Sequence, residues 1–212
     1  MTKTSASKQL GRRLTLITAL VGVGVIAALF GWQLRPRTVE EAIGPKPLGF
    51  GDPDATTQIV SFLSPTCPHC ARFELGVGKD FYARAEAGEF YYAIYPLMLE
   101  DDREPYTLAF FCAYQQAALP VFSLLHYQNY YLNQNRGLIE LAEQAGMAPK
   151  AFSTCLDAPK TQKAMAQARR WMDALKVPGT PTFFVRTRAD EPYLRIRGER
   201  DEAFWNNLLN TD

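Results

Sequence analysis

Two cysteines separated by two residues form the part of this sequence with the clearest chemistry. They belong to the tetrapeptide Cys67, Pro68, His69, Cys70, which follows a short apolar run and leads into a helical pattern. Residues three apart lie on the same face of a helical turn, so the two sulfurs come within disulfide distance. The spacing therefore predicts a redox pair that opens and closes a disulfide.

The setting of Cys67 predicts a low pKa for its thiol. At a helix cap, free backbone N–H groups and the positive end of the dipole favour a thiolate. Pro68 then takes the first helical position, where its missing N–H costs no hydrogen bond. The His69 imidazole is expected to face the sulfur and to stabilise the thiolate further. Cys67 is thus the expected reactive thiol.

Two other interpretations of the pair are a zinc site and a purely structural disulfide. A zinc site would need a second close pair of ligands, but Cys112 and Cys155 are far apart and His126 is the only histidine besides His69. A purely structural disulfide between Cys67 and Cys70 would close a very small ring and remove little chain entropy. We therefore expect no metal and no cofactor other than the redox-active disulfide.

An uncharged stretch at residues 14–34 predicts a transmembrane helix, because about 20 apolar residues span roughly 30 Å of hydrocarbon. A cleaved signal peptide is the alternative, but this run is longer than usual and has no A-x-A site. We expect a cytoplasmic segment at 1–13, a Pro-rich tether at 35–54 and a globular domain at 55–212.

The charge of the chain is unevenly distributed. Residues 1–35 hold five of the 23 basic residues and no acidic ones, so the rest carries a charge of about −4. Nucleic acid is therefore not an expected partner.

The domain alternates strands and helices in an α/β pattern. Apolar, β-branched and aromatic runs at 57–63 and 89–97 flank a helical pattern at 71–87, which is expected to bend near its glycines. This order predicts a right-handed unit with parallel strands. Two closely linked strands at 182–186 and 193–197 are predicted to be antiparallel, with a closing helix at 201–209.

A helical insert is predicted at about residues 102–176, which is too long for an ordinary connection. One of its helices is rich in aromatic residues and holds His126, and we interpret it as subdomain core and rim rather than a ligand site. Cys112 and Cys155 lie on two separate helices of the insert. They are expected to form a structural disulfide in an oxidising compartment, and two buried free thiols are the alternative.

The tetrapeptide after the apolar run 59–63, together with Val-Pro-Gly-Thr-Pro-Thr at 177–182, resembles the DsbA family of thiol-disulfide oxidoreductases in the thioredoxin superfamily. The resemblance covers residues from about 57 to the C-terminus. It implies a thioredoxin-like fold with a helical insert, and a cis peptide at Thr180-Pro181 that leaves the Thr180 backbone free to bind substrate. An ordinary trans proline at 181, or a cis bond at Pro178, are the alternatives.

The resemblance also implies partners and a compartment. Exported polypeptides with cysteines would be substrates, and the redox partner in the membrane would be a DsbB-like quinone reductase for an oxidase or a DsbD-like protein for a reductase. A catalyst with this chemistry is expected on the periplasmic side of the inner membrane, held by a single span. The alternatives to an oxidase are a reductase or isomerase of the same fold, or a non-catalytic module that binds a polypeptide or copper.

The chain departs from the resembled pattern at two positions. Many family members have a buried acid six residues before the first cysteine, where this chain has Ser61. The residue before the expected cis proline is Thr180, whereas DsbA itself has an aliphatic residue and several reductases and isomerases have threonine. Proton handling at Cys70 and substrate preference are the properties that these two departures affect.

Overall fold

A mixed sheet lies at the centre of the domain in the computed structural model, which describes Thr38, Val39, Glu41 and residues 48–99 and 104–209. β2 and β3 are parallel, and every other neighbouring pair within this part of the chain is antiparallel. From one edge to the other, the strands are β1 (Leu48–Phe50), β3 (Tyr91–Pro96), β2 (Gln58–Leu63), β4 (Thr182–Arg186) and β5 (Leu194–Arg197). The predicted parallel unit and the predicted antiparallel pair are both confirmed.

The edge strand β1 was not predicted. It lies inside residues 35–54, which we expected to be a tether, and it pairs with β3 through Leu48 opposite Ile94 and Phe50 opposite Tyr92. Leu48 is 4% exposed, so this segment is part of the core. Three residues between a proline and a glycine are too few to show a strand period, which is why the sequence pattern indicated a linker. The domain therefore begins at or before residue 48.

The helical region after β2 is interrupted where the sequence predicted a bend. It comprises α1 (Pro68–Phe73), a π-helical turn (Glu74–Gly78) and α2 (Lys79–Glu86). Gly76 adopts φ −90° and ψ −113°, outside the helical range. A Cβ on Gly78 would come within 2.7 Å of the Phe73 ring, so a glycine is needed for this close approach. The turn holds Glu74 with its side chain inside the protein.

Helices occupy the described part of the region in which a helical insert was predicted, at about residues 102–176. Prolines begin or nearly begin several of these helices, at positions where the missing N–H costs no hydrogen bond. The helices described in the insert are α3 (Glu104–Gln115), α4 (Leu119–Tyr131), α5 (Leu138–Gln144), α6 (Pro149–Leu156) and α7 (Pro159–Ala174). The insert packs on the sheet and on α1, so its helices α3 and α4 form one side of the active-site region.

The closing helix α8 (Glu202–Leu209) packs against α1 on the side away from the insert. Asp201 caps it, because its Oδ1 accepts a hydrogen bond of 2.9 Å from the Phe204 N–H. Trp205 is fully buried, and its ring contacts those of Phe73, Phe81 and Phe183. This aromatic cluster joins α1, α2, β4 and α8, and through Phe73 it packs the end of α1 against the sheet.

The predicted cytoplasmic segment 1–13 and transmembrane helix 14–34 lie outside the described residues. Within the described ranges, none of the helices combines the length and the apolar character needed to cross a bilayer.

Candidate active site

The two cysteines lie at the start of α1, immediately after the carboxyl end of β2. Cys67 is the N-cap residue, with extended backbone angles of φ −88° and ψ 120°, and Pro68 is in the first turn. The Cys67 N–H donates to the Ser64 carbonyl at 3.2 Å, which closes the turn between strand and helix. Cys67 is 8% exposed and Cys70 is 0% exposed. The predicted cap position and the predicted burial of Cys70 are both present.

The environment of Cys67 stabilises a thiolate. A hydrogen bond from the Cys70 side chain is the largest of the effects that lower the pKa of Cys67 to about 5, from 9.0. The Thr180 hydroxyl and the backbone N–H groups of Cys70 and His69 act in the same direction, while burial opposes them. Free N–H groups at the helix cap therefore contribute as the sequence predicted.

The environment of Cys70 favours its thiol. Burial raises the pKa of Cys70 well above its usual value, and the hydrogen bond and the negative charge at Cys67 raise it further. The Ser64 N–H donates to the Cys70 sulfur at 3.4 Å and partly offsets these effects. One sulfur of the pair is thus a stabilised anion and the other a neutral thiol.

The loop before β4 completes the site. The Thr180-Pro181 peptide is cis, as the resemblance implied. Cys67 Sγ lies 3.3 Å from the Thr180 carbonyl oxygen, although the two residues are 113 positions apart. The Thr180 hydroxyl is buried and makes no hydrogen bond of ordinary geometry with any described residue, but it lies close enough to lower the pKa of both cysteines. Both sequence motifs therefore meet at one place.

The His69 side chain is not where the sequence placed it. Its Nδ1 lies 2.5 Å from Oε2 of Glu199, in the segment between β5 and α8, and Arg72 binds the other oxygen of the same carboxylate at 2.7 Å. His69 contributes to the Cys67 thiolate through its backbone N–H. Glu199 could not be predicted as a partner of His69, because it is 130 residues away and no local pattern connects the two.

A buried carboxyl that was not predicted from the sequence lies in the helical turn after the cysteines. Glu74 is 1% exposed and accepts hydrogen bonds from Ser123 Oγ at 2.8 Å, Tyr82 Oη at 3.0 Å and Tyr92 Oη at 3.4 Å. Burial raises its pKa to about 7, and the three hydroxyls partly oppose that shift. Its position four residues after Cys70, on the same helix face, could have indicated that Glu74 lies near the site.

The aromatic helix α4 supports the turn that carries the cysteines. His126 Nε2 lies 2.9 Å from the Pro65 carbonyl oxygen, and the Tyr127 hydroxyl donates to the Ser64 carbonyl at 3.0 Å. Burial lowers the pKa of His126 to about 4, so the ring is neutral and donates from Nε2. Tyr130 and Tyr131 are exposed. The interpretation of this helix as core and rim agrees with these positions.

Cys112 and Cys155 form a disulfide between α3 and α6, with an S–S distance of 2.10 Å and a Cα–Cα distance of 5.8 Å. This is the pairing expected from the sequence. Cys67 and Cys70 are not joined by a disulfide in the structure. In the part of the chain that the structure describes, no three His, Cys, Asp or Glu side chains are grouped as a metal site.

A thioredoxin fold with a Cys-x-x-Cys pair at the start of a helix and a cis proline beside it defines a class of thiol-disulfide oxidoreductases. The family model described as thioredoxin matches residues 45–192. The chain therefore belongs to the thioredoxin family.

Named relatives narrow the class. The chain is 24% identical to the thiol:disulfide interchange protein DsbA of Bordetella parapertussis, over 81% of this chain and 84% of that protein. It is also 24% identical to a protein-disulfide oxidoreductase of Rickettsia prowazekii, covering 76% of this chain but only 62% of the relative. The crystal structure of alpha-DsbA1 from Wolbachia pipientis superposes with a TM-score of 0.64 at 20% identity, over 78% of this chain and 90% of that one. The protein is a DsbA-like protein-disulfide oxidoreductase.

Proposed function

We propose that this protein is an oxidase, which donates the Cys67–Cys70 disulfide to polypeptides that carry free cysteines. The observation that carries the proposal is the asymmetry of the pair, with the pKa of Cys67 lowered to about 5 and the pKa of Cys70 raised. A stabilised Cys67 thiolate is a good leaving group, and its stability favours the reduced enzyme over the disulfide form. A disulfide enzyme whose reduced form is favoured gives its disulfide away.

The reaction has two exchange steps. A substrate thiolate attacks Cys67 Sγ, the S–S bond breaks, and its electron pair goes to Cys70, which takes up a proton. A second substrate thiolate then attacks the substrate sulfur of the mixed disulfide and expels Cys67 as a thiolate. The substrate is oxidised to a disulfide and the enzyme is reduced to a dithiol.

Substrate alignment is assigned to the backbone before the cis proline. The Thr180 carbonyl lies 3.3 Å from Cys67 Sγ, and Pro181 has no N–H. A substrate segment in extended conformation can pair with the Thr180 backbone, as an added strand pairs with a sheet edge. Such pairing would hold a substrate cysteine next to Cys67 without selecting its side chains.

The proposed setting is the periplasmic face of the inner membrane, with residues 14–34 as a single anchor. The uncharged length of this run and the disulfide chemistry of the domain support it. Reoxidation would then come from a DsbB-like quinone reductase in the same membrane. In intact spheroplasts, a membrane-impermeant maleimide should label reduced Cys67 but find no target in Cys67→Ser. Labelling only after lysis would refute this topology.

The redox equilibrium with glutathione tests the direction of the reaction. We expect a potential far more oxidising than the value of about −270 mV for thioredoxin and closer to the value of about −120 mV for DsbA. The reduced protein should also resist urea better than the disulfide form. A potential near that of thioredoxin, with a more stable disulfide form, would show that the protein is a reductase.

The second candidate function is that of a reductase or isomerase, and two residues favour it. Thr180 precedes the cis proline, where the resembled reductases and isomerases have threonine, and its hydroxyl acts on both sulfurs. Ser61 replaces the acid that many family members have near the second cysteine. The glutathione equilibrium separates the two candidates, because it measures which redox state the protein itself favours.

A further inference from the structure

Glu199 joins the active-site helix to the end of the sheet. Its Oε1 accepts hydrogen bonds from Arg72 Nε at 2.9 Å and from Arg72 Nη2 at 2.7 Å, and its Oε2 lies 2.5 Å from His69 Nδ1. His69 and Arg72 lie three residues apart on one face of α1, whereas Glu199 follows β5. We call these three side chains the Glu199 cluster. The exchange steps described above do not use it.

The backbone fixes the position of Glu199 beside α1. Arg197 ends β5 opposite Thr182, the residue that follows the cis proline. The Gly198 N–H then donates to the Pro181 carbonyl at 2.9 Å, and Gly198 adopts φ +76°, a left-handed angle that favours glycine. The chain thus turns away from the strand while it is bound to the loop that carries the cis proline. Glu199 therefore has a fixed place relative to both active-site motifs.

The Glu199 carboxylate keeps two electropositive groups together. His69 Nδ1 and Arg72 Nη2 are 2.6 Å apart. When Nδ1 carries the proton that it donates to Glu199, an assignment made from the hydrogen bonds, both of these groups are donors and repel each other unless an acceptor binds both. The side chains of His69 and Arg72 are 58% and 43% exposed, so solvent gives both of them room to move. The shared carboxylate therefore orients them.

The charges of the Glu199 cluster act on Cys67. The Glu199 hydrogen bond is the largest of the effects that raise the pKa of Arg72, and the negative charge of Cys67 raises it as well. Because this attraction is mutual, the Arg72 guanidinium stabilises the Cys67 thiolate. Burial opposes ionisation of Glu199, but hydrogen bonds from Arg72 and His69 lower its pKa overall. An ionised carboxylate thus offsets the charge of the guanidinium that faces the thiolate.

Other charged side chains line the cavity beside the Glu199 cluster. They are Lys79, Asp80, Arg200, Asp201 and Glu202. Two are basic and three are acidic, so their charges nearly balance. Glu202 is exposed at the first position of α8 and carries the same charge as Glu199, but it is not part of the cluster. It therefore offers a matched control for the loss of one negative charge from this surface.

We propose that Glu199 is a positioning residue that limits the oxidising power of the Cys67–Cys70 pair. Because it binds the Arg72 guanidinium and the His69 ring, less positive charge acts on the nearby thiolate than these two side chains would otherwise supply. A less stabilised thiolate makes the reduced enzyme less favoured and its disulfide less oxidising. This assignment rests on the disulfide-exchange chemistry of the protein. It holds for an oxidase and for a reductase, because it concerns a change in potential and not the absolute value.

The equilibrium of the full chain with glutathione at neutral pH measures this change, with Cys112–Cys155 intact in every variant. Glu199→Gln removes the negative charge and keeps the size of the side chain. Its equilibrium constant should move about two- to fivefold toward the reduced protein relative to wild type, the range expected for a partly exposed ion pair. Arg72→Gln should move the constant in the opposite direction, because it removes the positive charge and leaves the carboxylate. Glu202→Gln should stay close to wild type.

Titration of the thiolate gives a second readout, which a merely structural role would not move in step with the first. The ultraviolet absorbance of the reduced protein, with the disulfide form as blank, follows ionisation of Cys67. Because the pKa of Cys67 is lowered to about 5, this thiol is ionised at neutral pH and any change in its pKa appears in full in the equilibrium constant. The pKa in Glu199→Gln should accordingly be lower by about 0.3–0.7. High salt should reduce both differences, because it screens exposed charges.

Other results would overturn the proposal. An unchanged equilibrium in Glu199→Gln, or a shift toward the disulfide form, would show that the carboxylate does not limit the oxidising power. An equal shift in Glu202→Gln would mean that any negative charge on this surface has the same effect. If Glu199→Gln does not fold, as circular dichroism would show, Arg72→Gln decides the outcome. A shift of that variant toward the reduced protein, or no shift, would then contradict the proposal.

Discussion

Cys67 and Cys70 differ because they meet different surroundings within one turn of helix. Cys67 lies at the cap, where the Cys70 side chain, the Thr180 hydroxyl and two backbone N–H groups lower the pKa of its thiol. Cys70 lies one turn further in and is fully buried. Hydrogen bonds stabilise the anion at the first position, and lack of solvent disfavours it at the second. The chemistry of the pair follows from this difference of a few ångströms.

Alkylation of the reduced protein should therefore modify Cys67 at mildly acidic pH. Because the pKa of Cys67 is lowered to about 5, its reaction with limiting iodoacetamide should reach half its plateau rate near pH 5, whereas an ordinary thiol reacts this way near pH 8.5. Peptide mapping by mass spectrometry identifies the labelled residue, and Cys67→Ser serves as the control that loses the label. Preferential labelling of Cys70, or a Cys67 that reacts only at alkaline pH, would contradict the mechanism.

At the scale of elements, the helical insert is stabilised by a disulfide as well as by packing. Cys112 on α3 and Cys155 on α6 close a loop with a sequence separation of 43. Cys112 is fully buried in the core that α3 shares with α4. Helix α4 in turn binds the Ser64 and Pro65 carbonyls of the active-site turn through Tyr127 and His126. The stability of the insert thus affects how well the turn is held.

Removing the second disulfide should destabilise the domain without abolishing the reactivity of Cys67. In the chain-entropy model, a loop of this length corresponds to about 4 kcal/mol of unfolding free energy. Urea unfolding of the double variant Cys112→Ala, Cys155→Ala measures the loss, with both proteins in the dithiol form at Cys67 and Cys70. A loss well below 1 kcal/mol, or free thiols at both positions in protein isolated from its own compartment, would contradict the structural role.

At the scale of the whole molecule, thiol ionisation couples to folding. The pKa of Cys67 is lower in the folded protein than in the unfolded chain, so its contribution to stability is fully present above about pH 8.5 and is lost as pH falls through about 5. The disulfide form has no such thiol.

The stability difference between the reduced and oxidised proteins should therefore grow from pH 5 toward pH 8.5 in favour of the reduced form. Urea unfolding of both forms at several pH values measures it. Cys67→Ser, which cannot ionise at this position, is the control and should lack the slope that the reduced wild type shows relative to the disulfide form. A difference that is independent of pH in this range would mean that the Cys67 thiolate is not coupled to folding.

Much of the fold and the centre of the site followed from local sequence patterns. Some features are properties of neighbouring residues and could be predicted directly. These are the Cys-x-x-Cys spacing, Pro68 at the first helical position and the flanking strand and helix patterns. The helical insert followed from helical patterns over a stretch too long for an ordinary connection, and the family resemblance implied it as well. The cis peptide at Thr180-Pro181 came from the resemblance. The pairing of Cys112 with Cys155 followed from counting the remaining cysteines.

Only the tertiary structure decided which distant side chains surround the cysteines. Glu199 binds His69 across 130 positions, and Glu74 obtains its hydrogen bonds from three separate elements. β1 is a strand because β3 offers it an edge, not because its three residues show a period. Local propensity acts over a few residues, whereas burial, pairing and pKa depend on what folding brings within a few ångströms. The sequence by itself therefore determined the redox pair, and the tertiary structure decided the proton and charge environment in which that pair works.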